Sequence, residues 1–288
     1  MVQEITFVKC SPSNNMTILV MSELAADQYA QVAAEMMAYG HIHAEQVGFV
    51  GLPSQPGSMA SLHMAGGEFC GNAALALAAC LASQRHLQEG DPWELSLEVS
   101  SAEQPVICRV EKVDSDYVCE AAMPLPRSIE HVALSFEGRQ LELGIVRYRD
   151  FFHLIIDRDR CGIDRAAAER LARLLGVISE GNLVGVMLYS VDPCELAPLI
   201  YLPSLDSLIW EQGCGSGTAS LGSYLAWRQG RSVTLDVAQP GGTIEAAAVW
   251  NGDRISSVRI KCRVGIVASG TAYVRPSLLL HSLSGGIL

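Results

Sequence analysis

Lysine is almost missing from this chain, which has only Lys9, Lys112 and Lys261 among its 288 residues. An enzyme that depends on pyridoxal phosphate needs a pocket lysine to form the Schiff base. Lys112 and Lys261 lie in alternating, strand-like stretches that are typical of a solvent-facing surface, and only Lys9 is near a turn. The scarcity of lysine therefore disfavours this cofactor, and we expect the protein to work without any cofactor.

Positive charge is also scarce. The chain has 20 lysines and arginines against 31 acidic residues, a net charge of −11, which argues against a nucleic-acid partner. No apolar run approaches the roughly 20 residues that span a bilayer. The first ten residues, MVQEITFVKC, lack the basic and apolar regions of an export signal. We therefore expect a cytoplasmic protein with no nucleic-acid and no membrane partner.

The nine cysteines form no CxxC pair, and their number is odd. This pattern is typical of reduced thiols in a cytoplasm, and it favours neither a disulfide framework nor a zinc site. His41 and His43 resemble a metal pair, but no acid or cysteine at suitable spacing completes them. We expect no metal site.

Two of the cysteines, Cys70 and Cys214, stand 144 positions apart, which is half the length of the chain. Each is followed by glycine and then by small residues that begin a predicted helix, about 71–83 and 215–229. Each helix is followed in turn by a strand, a turn and a second strand. A strand and a helix also precede each copy, with the helices at about 25–39 and 165–175. The pattern predicts a duplicated α+β unit.

The fold class that we predict is α+β, with two pseudo-symmetric domains. Each is a curled, mostly antiparallel β-sheet around a central helix, because hairpin-like turns join the strands and the first helix is apolar on nearly every side. Prolines at 124 and 126 mark the predicted boundary. The first domain covers 1–124 and is completed by a C-terminal strand at about 271–288. The second covers 125–270.

The position of the two thiols suggests paired acid and base catalysis. Free N–H groups and the positive end of the helix dipole lower the pKa of a thiol at a helix start. The same amide groups, at Gly71 and Asn72 and at Gly215 and Ser216, can bind a substrate carboxylate; for Asn72 and Ser216 we expect the backbone N–H to matter more than the side chain. One thiolate would then remove the proton on an α-carbon while the opposite thiol returns one to the other face.

These motifs resemble those of the diaminopimelate epimerase superfamily of cofactor-independent racemases, over almost the full length of the chain. The resemblance implies two barrel-like domains around central helices, catalysis in the cleft between them, and a homodimer. It places Asn15, in the SPSNN loop, beside the substrate. It also assigns an acid/amide pair to Glu45-Gln46, and a Pro-Gly-Gly turn to residues 240–242.

The resemblance also implies roles for three further side chains. Glu45 and Glu211 are candidates to orient the two thiols or to relay their protons. His153 is a candidate to contact the substrate or to tune Cys70.

Departures from the superfamily pattern narrow the range of candidate substrates. The stretch 204–211, which precedes the second cysteine, contains no arginine to hold the far end of diaminopimelate, and Ser61 stands where the superfamily has asparagine. A second charged head group would be poorly satisfied in this pocket. The segments SPSNN, AEQVGF and WEQGCGSGT are more similar to the histidine racemases of opine-metallophore biosynthesis. We therefore expect racemisation of a one-headed free amino acid, with histidine favoured.

Other functions remain open at this point. Diaminopimelate epimerase and a proline racemase-like enzyme both use paired cysteines, although the latter has an aspartate shortly before the second one. An isomerase of the phenazine-biosynthesis type has a carboxylate in place of one cysteine, and two intact cysteines argue against it. A binding protein without catalysis is the last alternative.

Overall fold

The structure is a computed structural model, and it describes residues 2–178, 183–203 and 206–275. It is a mixed α+β fold in which strands predominate, as the sequence predicts. The helices are α1 (Tyr29–Met37), α2 (Gly71–Gln84), α3 (Arg158–Cys161), α4 (Arg165–Ile178) and α5 (Gly215–Gln229), with a 3-10 turn at Ala26–Gln28 before α1.

Sixteen strands form a single continuous sheet in the described residues. In chain order they are β1 (Gln3–Pro12), β2 (Thr17–Val20), β3 (Gln46–Gly51), β4 (Ala60–Met64), β5 (Trp93–Val99), β6 (Val106–Val113), β7 (Asp116–Ala122), β8 (Ser128–Phe136), β9 (Arg139–Arg147), β10 (Phe151–Asp157), β11 (Leu183–Ser190), β12 (Glu195–Leu202), β13 (Ser207–Trp210), β14 (Val233–Gln239), β15 (Gly242–Trp250) and β16 (Ile255–Val274).

The long strand β16 joins the two halves of the sheet. It pairs with β15 and β7 through its first part and with β1 through its last part, where Gln3 lies opposite Val274. Strands β1 to β7 therefore close with β16 into a ring. The other run, from β16 through β15, β14, β12, β11, β10 and β9, continues to β8.

Most pairs are antiparallel, as predicted, but β2–β3, β4–β5, β10–β11 and β12–β14 are parallel. A crossover is needed between parallel neighbours, and α1, α2, α4 and α5 supply it. The division into two pseudo-symmetric domains at residue 124 stays a prediction. Of the predicted C-terminal strand, residues 271–274 belong to β16 and pair with β1, whereas residues 276–288 lie outside the described part of the chain.

Helix α2 lies inside the ring, in contact with strands from both sides of it. Residues 72–80 are all at most 2% exposed, which a helix with apolar side chains on every face requires. Helix α5 packs against β14, β15 and β16 and against β9, β10 and β11. Its small residues permit close approach, and it ends at Gly230, which has the left-handed φ of 60°.

The two central helices confirm the sequence prediction closely, whereas the predicted outer helices differ at their ends. In place of the helix predicted over 25–39, the structure has a 3-10 turn followed by α1. Ala25 and Ala38 lie outside the helical segment, because both have extended ψ angles of 142°. The helix predicted over 165–175 begins at Arg165 and continues to Ile178. Helices α1 and α4 pack on the outside of the sheet, against β3 and against β11 and β12.

None of the helices in the described ranges has the length and apolar character needed to cross a membrane.

Candidate active site

The two thiols occupy matched positions, each at the residue that precedes a central helix. Cys70 is the N-cap of α2, and its Sγ accepts a hydrogen bond from the N–H of Ala73 at 3.3 Å. Cys214 is the N-cap of α5, and its Sγ accepts from the N–H of Gly217, also at 3.3 Å. The structure therefore confirms that both thiols lie at helix starts, as the small residues after each cysteine predict.

The two helix starts converge on the same point of β16. A Cβ atom on Gly71 would lie 2.9 Å from the Cδ1 methyl of Ile260, and one on Gly215 would lie 2.7 Å from the same methyl. The side chain of Asn72, on α2, donates from Nδ2 to the carbonyl of Gly213 at 2.8 Å. Glycine at 71 and 215 therefore lets the two helix starts approach each other.

The side chain of Asn72 also has a direct structural role. Its N–H does contribute to lowering the pKa of Cys70, as expected for a helix start. Its amide group, however, is only 2% exposed and ties α2 to the residue before Cys214.

Asn15 and Gln46 connect Cys70 to the same carbonyl. Asn15 is completely buried, and its Nδ2 donates to the Gly213 carbonyl at 2.7 Å. Its Oδ1 accepts from Nε2 of Gln46 at 2.8 Å. The thiol of Cys70 then donates to Oε1 of Gln46 at 2.5 Å.

The backbone around Cys214 is held on its other side by Gln239. The N–H of Cys214 donates to Oε1 of Gln239 at 2.8 Å, and Nε2 of Gln239 donates to the hydroxyl of Thr218 at 2.8 Å. The Thr218 hydroxyl donates back to the Cys214 carbonyl at 2.6 Å. The Pro-Gly-Gly turn follows directly, and the N–H of Gly241 donates to the carbonyl of Gln212 at 2.7 Å. This turn therefore positions the cysteine loop.

Two carboxylates, Glu68 and Glu211, lie near the thiols, and a third, Glu45, lies near Glu211. Glu211 follows β13, and its N–H is anchored to the carbonyl of Pro198 at 3.0 Å. Burial raises the pKa of Glu211 to about 7, assisted by the charges of Glu45 and Glu68 and opposed by its contact with the Cys214 thiol. Burial also raises the pKa of Glu45, which the backbone N–H of Gln212 partly offsets, and the pKa of Glu68.

Both thiols are protonated in this arrangement. Burial raises the pKa of Cys70 well above its ordinary range, and the charges of Glu68 and Glu211 raise it further, against the helix amide groups that lower it. Burial also raises the pKa of Cys214, and the charge of Glu211 raises it further. The side chain of Ser216 and the N–H of Gly217 lower it. A thiolate at either position therefore requires that negative charge nearby be neutralised.

His153 lies under α5 and is completely buried. Its Nδ1 is 2.8 Å from the hydroxyl of Ser220, which is also 2.8 Å from the hydroxyl of Tyr148. Gly185 makes room for the imidazole, since a Cβ there would lie 2.8 Å from Nε2. Burial lowers the pKa of His153 to about 3, so the ring is neutral at physiological pH. Among the described residues the ring bonds to α5, the helix of Cys214, and its role in contacting the substrate or tuning Cys70 stays a prediction.

A cleft of about 610 Å³ adjoins the thiols. Gln46, Phe69 and Ser216, which are neighbours or partners of the two cysteines, form its inner wall, and Glu45 and Glu68 add two carboxylates. Arg149 also lines the cleft, with its Nε 3.3 Å from a carboxylate oxygen of Asp150. The remaining lining residues are Met37, Val47, Met64, Ala65, Gly66, Gly67, Ser101, Phe151, Leu183, Leu202, Ser207 and Ile209.

The structure thus brings together nearly all the residues predicted from the sequence. The set around the two helix starts consists of Asn15, Glu45, Cys70, Gly71, Asn72, Glu211, Cys214, Gly215 and Ser216. Gln46, the amide of the predicted acid/amide pair, belongs to the same group, as do Glu68 and Gln239, to which the sequence patterns assigned no role. The only sequence signal for Glu68 is its position two residues before Cys70, and that for Gln239 is the proline that follows it. Among the described residues, no cluster of three or more histidine, cysteine or acidic side chains could hold a metal ion.

Solved structures with the same fold include racemases and isomerases. A hydroxyproline epimerase from Agrobacterium vitis is 11% identical, with a TM-score of 0.66 over 94% of this chain and 92% of that one. A methylitaconate-delta-isomerase is also 11% identical, with a TM-score of 0.61 over 95% of this chain and 96% of that one. At such low identity these similarities show the fold alone.

The class that emerges from fold, site and relatives is an amino-acid racemase, an isomerase. Residues 4–273 match the family described as "Histidine racemase CntK N-terminal domain", and the chain belongs to this family. A histidine racemase of Staphylococcus aureus is 32% identical over 94% of this chain and 98% of its own length. One from Fusobacterium nucleatum subsp. nucleatum is 27% identical over 95% and 98%. Membership of the wider diaminopimelate epimerase superfamily stays a prediction.

Proposed function

We propose that this protein interconverts L- and D-histidine without a cofactor, and that Cys70 and Cys214 are its two acid/base groups. The observation that carries the proposal is the matched placement of the thiols, each at the start of a helix and linked through the bond from Asn72 to Gly213. The similarity to histidine racemases over most of the chain supports histidine as the substrate.

The reaction needs one base and one acid on opposite faces of the α-carbon. The thiolate of one cysteine takes the α-proton, so that the C–H bond breaks and an S–H bond forms. The electron pair passes into the carboxylate to give an enediolate. The thiol of the other cysteine then delivers its proton to the opposite face and is left as a thiolate. The two cysteines exchange roles when the reaction runs in the other direction.

The helix starts supply the electrostatic stabilisation in this proposal. The N–H groups at the starts of α2 and α5 bind the substrate carboxylate and stabilise the additional negative charge of the enediolate. The substrate ammonium group lies near Glu45, Glu68 and Glu211. Its positive charge offsets the carboxylates that oppose ionisation of the thiols.

Glu211 is the proton acceptor that we assign to Cys214. Its carboxylate faces that thiol, and its raised pKa of about 7 makes it a base that is matched to neutral pH. The proton that leaves Cys214 thus has a partner within the site. In this assignment Glu211 prepares Cys214 for the abstraction step.

The far side of the cleft favours a one-headed amino acid. From residue 206 onward, the stretch before the second cysteine contributes Ser207 and Ile209 to the lining, and no arginine. Among the described residues of the lining, Arg149 is the cationic group, and Asp150 is already its partner. The carboxylate of a second zwitterionic head group would therefore have to compete with Asp150 for Arg149.

The test is α-proton exchange in D2O with a panel of free amino acids. L-histidine, L-proline, trans-4-hydroxy-L-proline and LL-diaminopimelate are incubated separately with the protein, and both deuteration and the D-enantiomer are measured. We expect both with histidine. Deuteration of diaminopimelate or proline instead would assign one of the alternative racemases. No exchange with any of them would contradict the racemase proposal.

Two broader expectations accompany this proposal. The resemblance favours a role in which D-histidine supplies the assembly of a metal-binding metabolite, and deletion of the gene should then be rescued by added D-histidine. It also favours a homodimer, which light scattering of the purified protein measures. The cytoplasmic location stays a prediction.

A further inference from the structure

The main-chain carbonyl of Gly213 determines the direction of a hydrogen-bond chain. A carbonyl oxygen can only accept, so the Asn15 atom 2.7 Å from it must be the amide nitrogen Nδ2. The other end of the Asn15 side chain is then Oδ1, which can also only accept. The Gln46 atom 2.8 Å from it must therefore be Nε2. This reasoning does not depend on how either amide is assigned, because the carbonyl anchors the whole chain.

The chain ends at Cys70. With Nε2 of Gln46 directed at Asn15, its Oε1 faces the thiol sulfur at 2.5 Å. An amide oxygen has no proton to donate, so this contact is favourable only while the sulfur carries its proton. A thiolate there would face the negative end of the amide dipole. Asn15 is completely buried, which resists reversal of the chain.

We propose that Gln46 is a positioning residue that holds Cys70 in its protonated form, with the polarity set by the Gly213 carbonyl through Asn15. This inference rests on the proposed two-thiol function and deepens it. The thiol of Cys214 faces the carboxylate of Glu211, which also favours a protonated sulfur but, unlike an amide oxygen, can itself take up the proton. The free enzyme is therefore asymmetric: both sulfurs carry protons, but only the thiol of Cys214 faces a group that can take its proton.

Charges around Cys70 act in addition to this chain. Glu68 and Glu211 both disfavour its thiolate, and the N–H groups of Ala73 and Asn72 favour it. Substitution of Gln46 leaves all four in place. The effect of the amide can therefore be measured separately from that of the charges.

The experiment measures alkylation of Cys70 by iodoacetamide in the free enzyme, followed by mass spectrometry of its peptide. Only the thiolate reacts, so at any pH below the pKa of Cys70 the alkylation rate falls about tenfold when that pKa rises by about one. Half-buried Cys161, remote from the site, is the internal reference. Reaction of Cys108, completely buried in the core, would report a loss of folding.

Two substitutions of Gln46 have opposite expected effects. Gln46→Met removes the facing oxygen and should speed Cys70 alkylation about threefold. Gln46→Glu places a carboxylate there and should slow it about tenfold. Gln55→Met, at an exposed position, is the matched control and should leave the rate unchanged. A loss of packing alone cannot produce changes of opposite sign at one position.

Unchanged Cys70 rates in both Gln46 variants, or changes of the same sign, would overturn the proposal. So would a rise in KM at constant kcat with an unchanged alkylation rate, which would make Gln46 a substrate ligand instead. The alkylation assay uses no substrate. Its outcome is therefore distinguishable from failure of the histidine exchange test, which concerns the proposed function alone.

Discussion

Asn72 and Gly213 are joined across the two halves of the site, with Nδ2 of Asn72 donating to the Gly213 carbonyl at 2.8 Å. Asn72 is the second residue of the helix that follows Cys70, and Gly213 immediately precedes Cys214. One hydrogen bond therefore couples the positions of both thiols. The carbonyl also accepts from Asn15, so two side chains from the first half of the chain hold it.

Loss of this bond should lower catalysis more than substrate binding. Asn72→Ala removes the donor at a position that is 2% exposed, and we expect kcat to fall about tenfold or more while KM changes little. The free energy of unfolding should fall by about 1–3 kcal/mol, the range for a buried hydrogen bond that loses one partner. Asn72→Asp, which places an acceptor opposite the carbonyl, should be at least as harmful. Wild-type kcat in Asn72→Asp would contradict the coupling.

Each thiol should be necessary for racemisation. Cys70→Ala and Cys214→Ala each remove the acid or base of one face, and positioned acid/base groups contribute roughly 10²–10⁴-fold to rate. We expect losses of at least that size. The rate of racemisation is measured from the change in optical rotation of a histidine solution. Cys194→Ala, at a half-buried cysteine outside the site, is the control. Near-normal racemisation by either active-site variant would exclude the two-thiol mechanism.

The pH profile should show the titration of Glu211. Its pKa is raised to about 7, so below that pH the carboxyl carries a proton and cannot accept the one on Cys214. We expect kcat/KM to fall about tenfold per pH unit on the acid side. Glu211→Gln should lower activity throughout and abolish this limb. An unaltered acid limb in Glu211→Gln would assign the titration to another group, and Glu45→Gln and Glu68→Gln then identify it.

The same raised pKa has a consequence for stability. A carboxyl group that ionises less readily in the folded state than in the unfolded state costs stability as pH rises from about 4.5 to about 7, and the cost remains above pH 7. Glu211→Gln carries no charge, so it should melt at a higher temperature than the wild type at pH 8.5 and at nearly the same temperature at pH 4. Thermal unfolding at both pH values measures this difference.

His153 should affect stability and leave the pH profile unchanged. Burial lowers its pKa to about 3, so it does not titrate in the working range. His153→Phe removes its contact with the Ser220 hydroxyl, 2.8 Å away, and should cost about 1–3 kcal/mol of unfolding free energy, measured in urea. A shift of the acid limb in this variant would show that the imidazole takes part in proton transfer.

Close approach of the two helix starts should make Gly215 intolerant of a side chain. The added Cβ of Gly215→Ala would lie 2.7 Å from Ile260 and 2.9 Å from Oδ1 of Asn72. We expect about 1–3 kcal/mol of destabilisation from this overpacking and at least a tenfold loss of kcat. Gly40→Ala is the control, because nothing lies within 4 Å of its added Cβ. Full activity of Gly215→Ala would mean that the helices can separate without harm.

Local chemistry made several features predictable from the sequence. The small residues after Cys70 and Cys214 predict helix starts, and an apolar helix such as α2 has no stable place except inside a sheet. Both predictions depend on neighbouring residues only. The ends of α1 were less predictable, because alanine favours helix and nothing in its chemistry gives the extended ψ angles of Ala25 and Ala38.

Other features depend on residues far apart in the chain. Nothing in the sequence around Glu211 predicts its raised pKa of about 7, which arises because folding buries this carboxyl group beside two other acids. The buried environment of His153, against Ser220 of α5, also follows only from the tertiary structure. Neither burial nor charge proximity is encoded in any single segment.

The sequence by itself determined where the two candidate thiols lie, at two helix starts, since helix starts and small residues are local properties. Only the tertiary structure decided which hydrogen-bond donors, acceptors and carboxylates surround them. The bonds from Asn15 and Asn72 to the Gly213 carbonyl join segments 198 and 141 residues apart, and they form only when β16 has brought the two halves together. A hydrogen bond has a direction, and that direction distinguishes two cysteines that the sequence presents as equivalent.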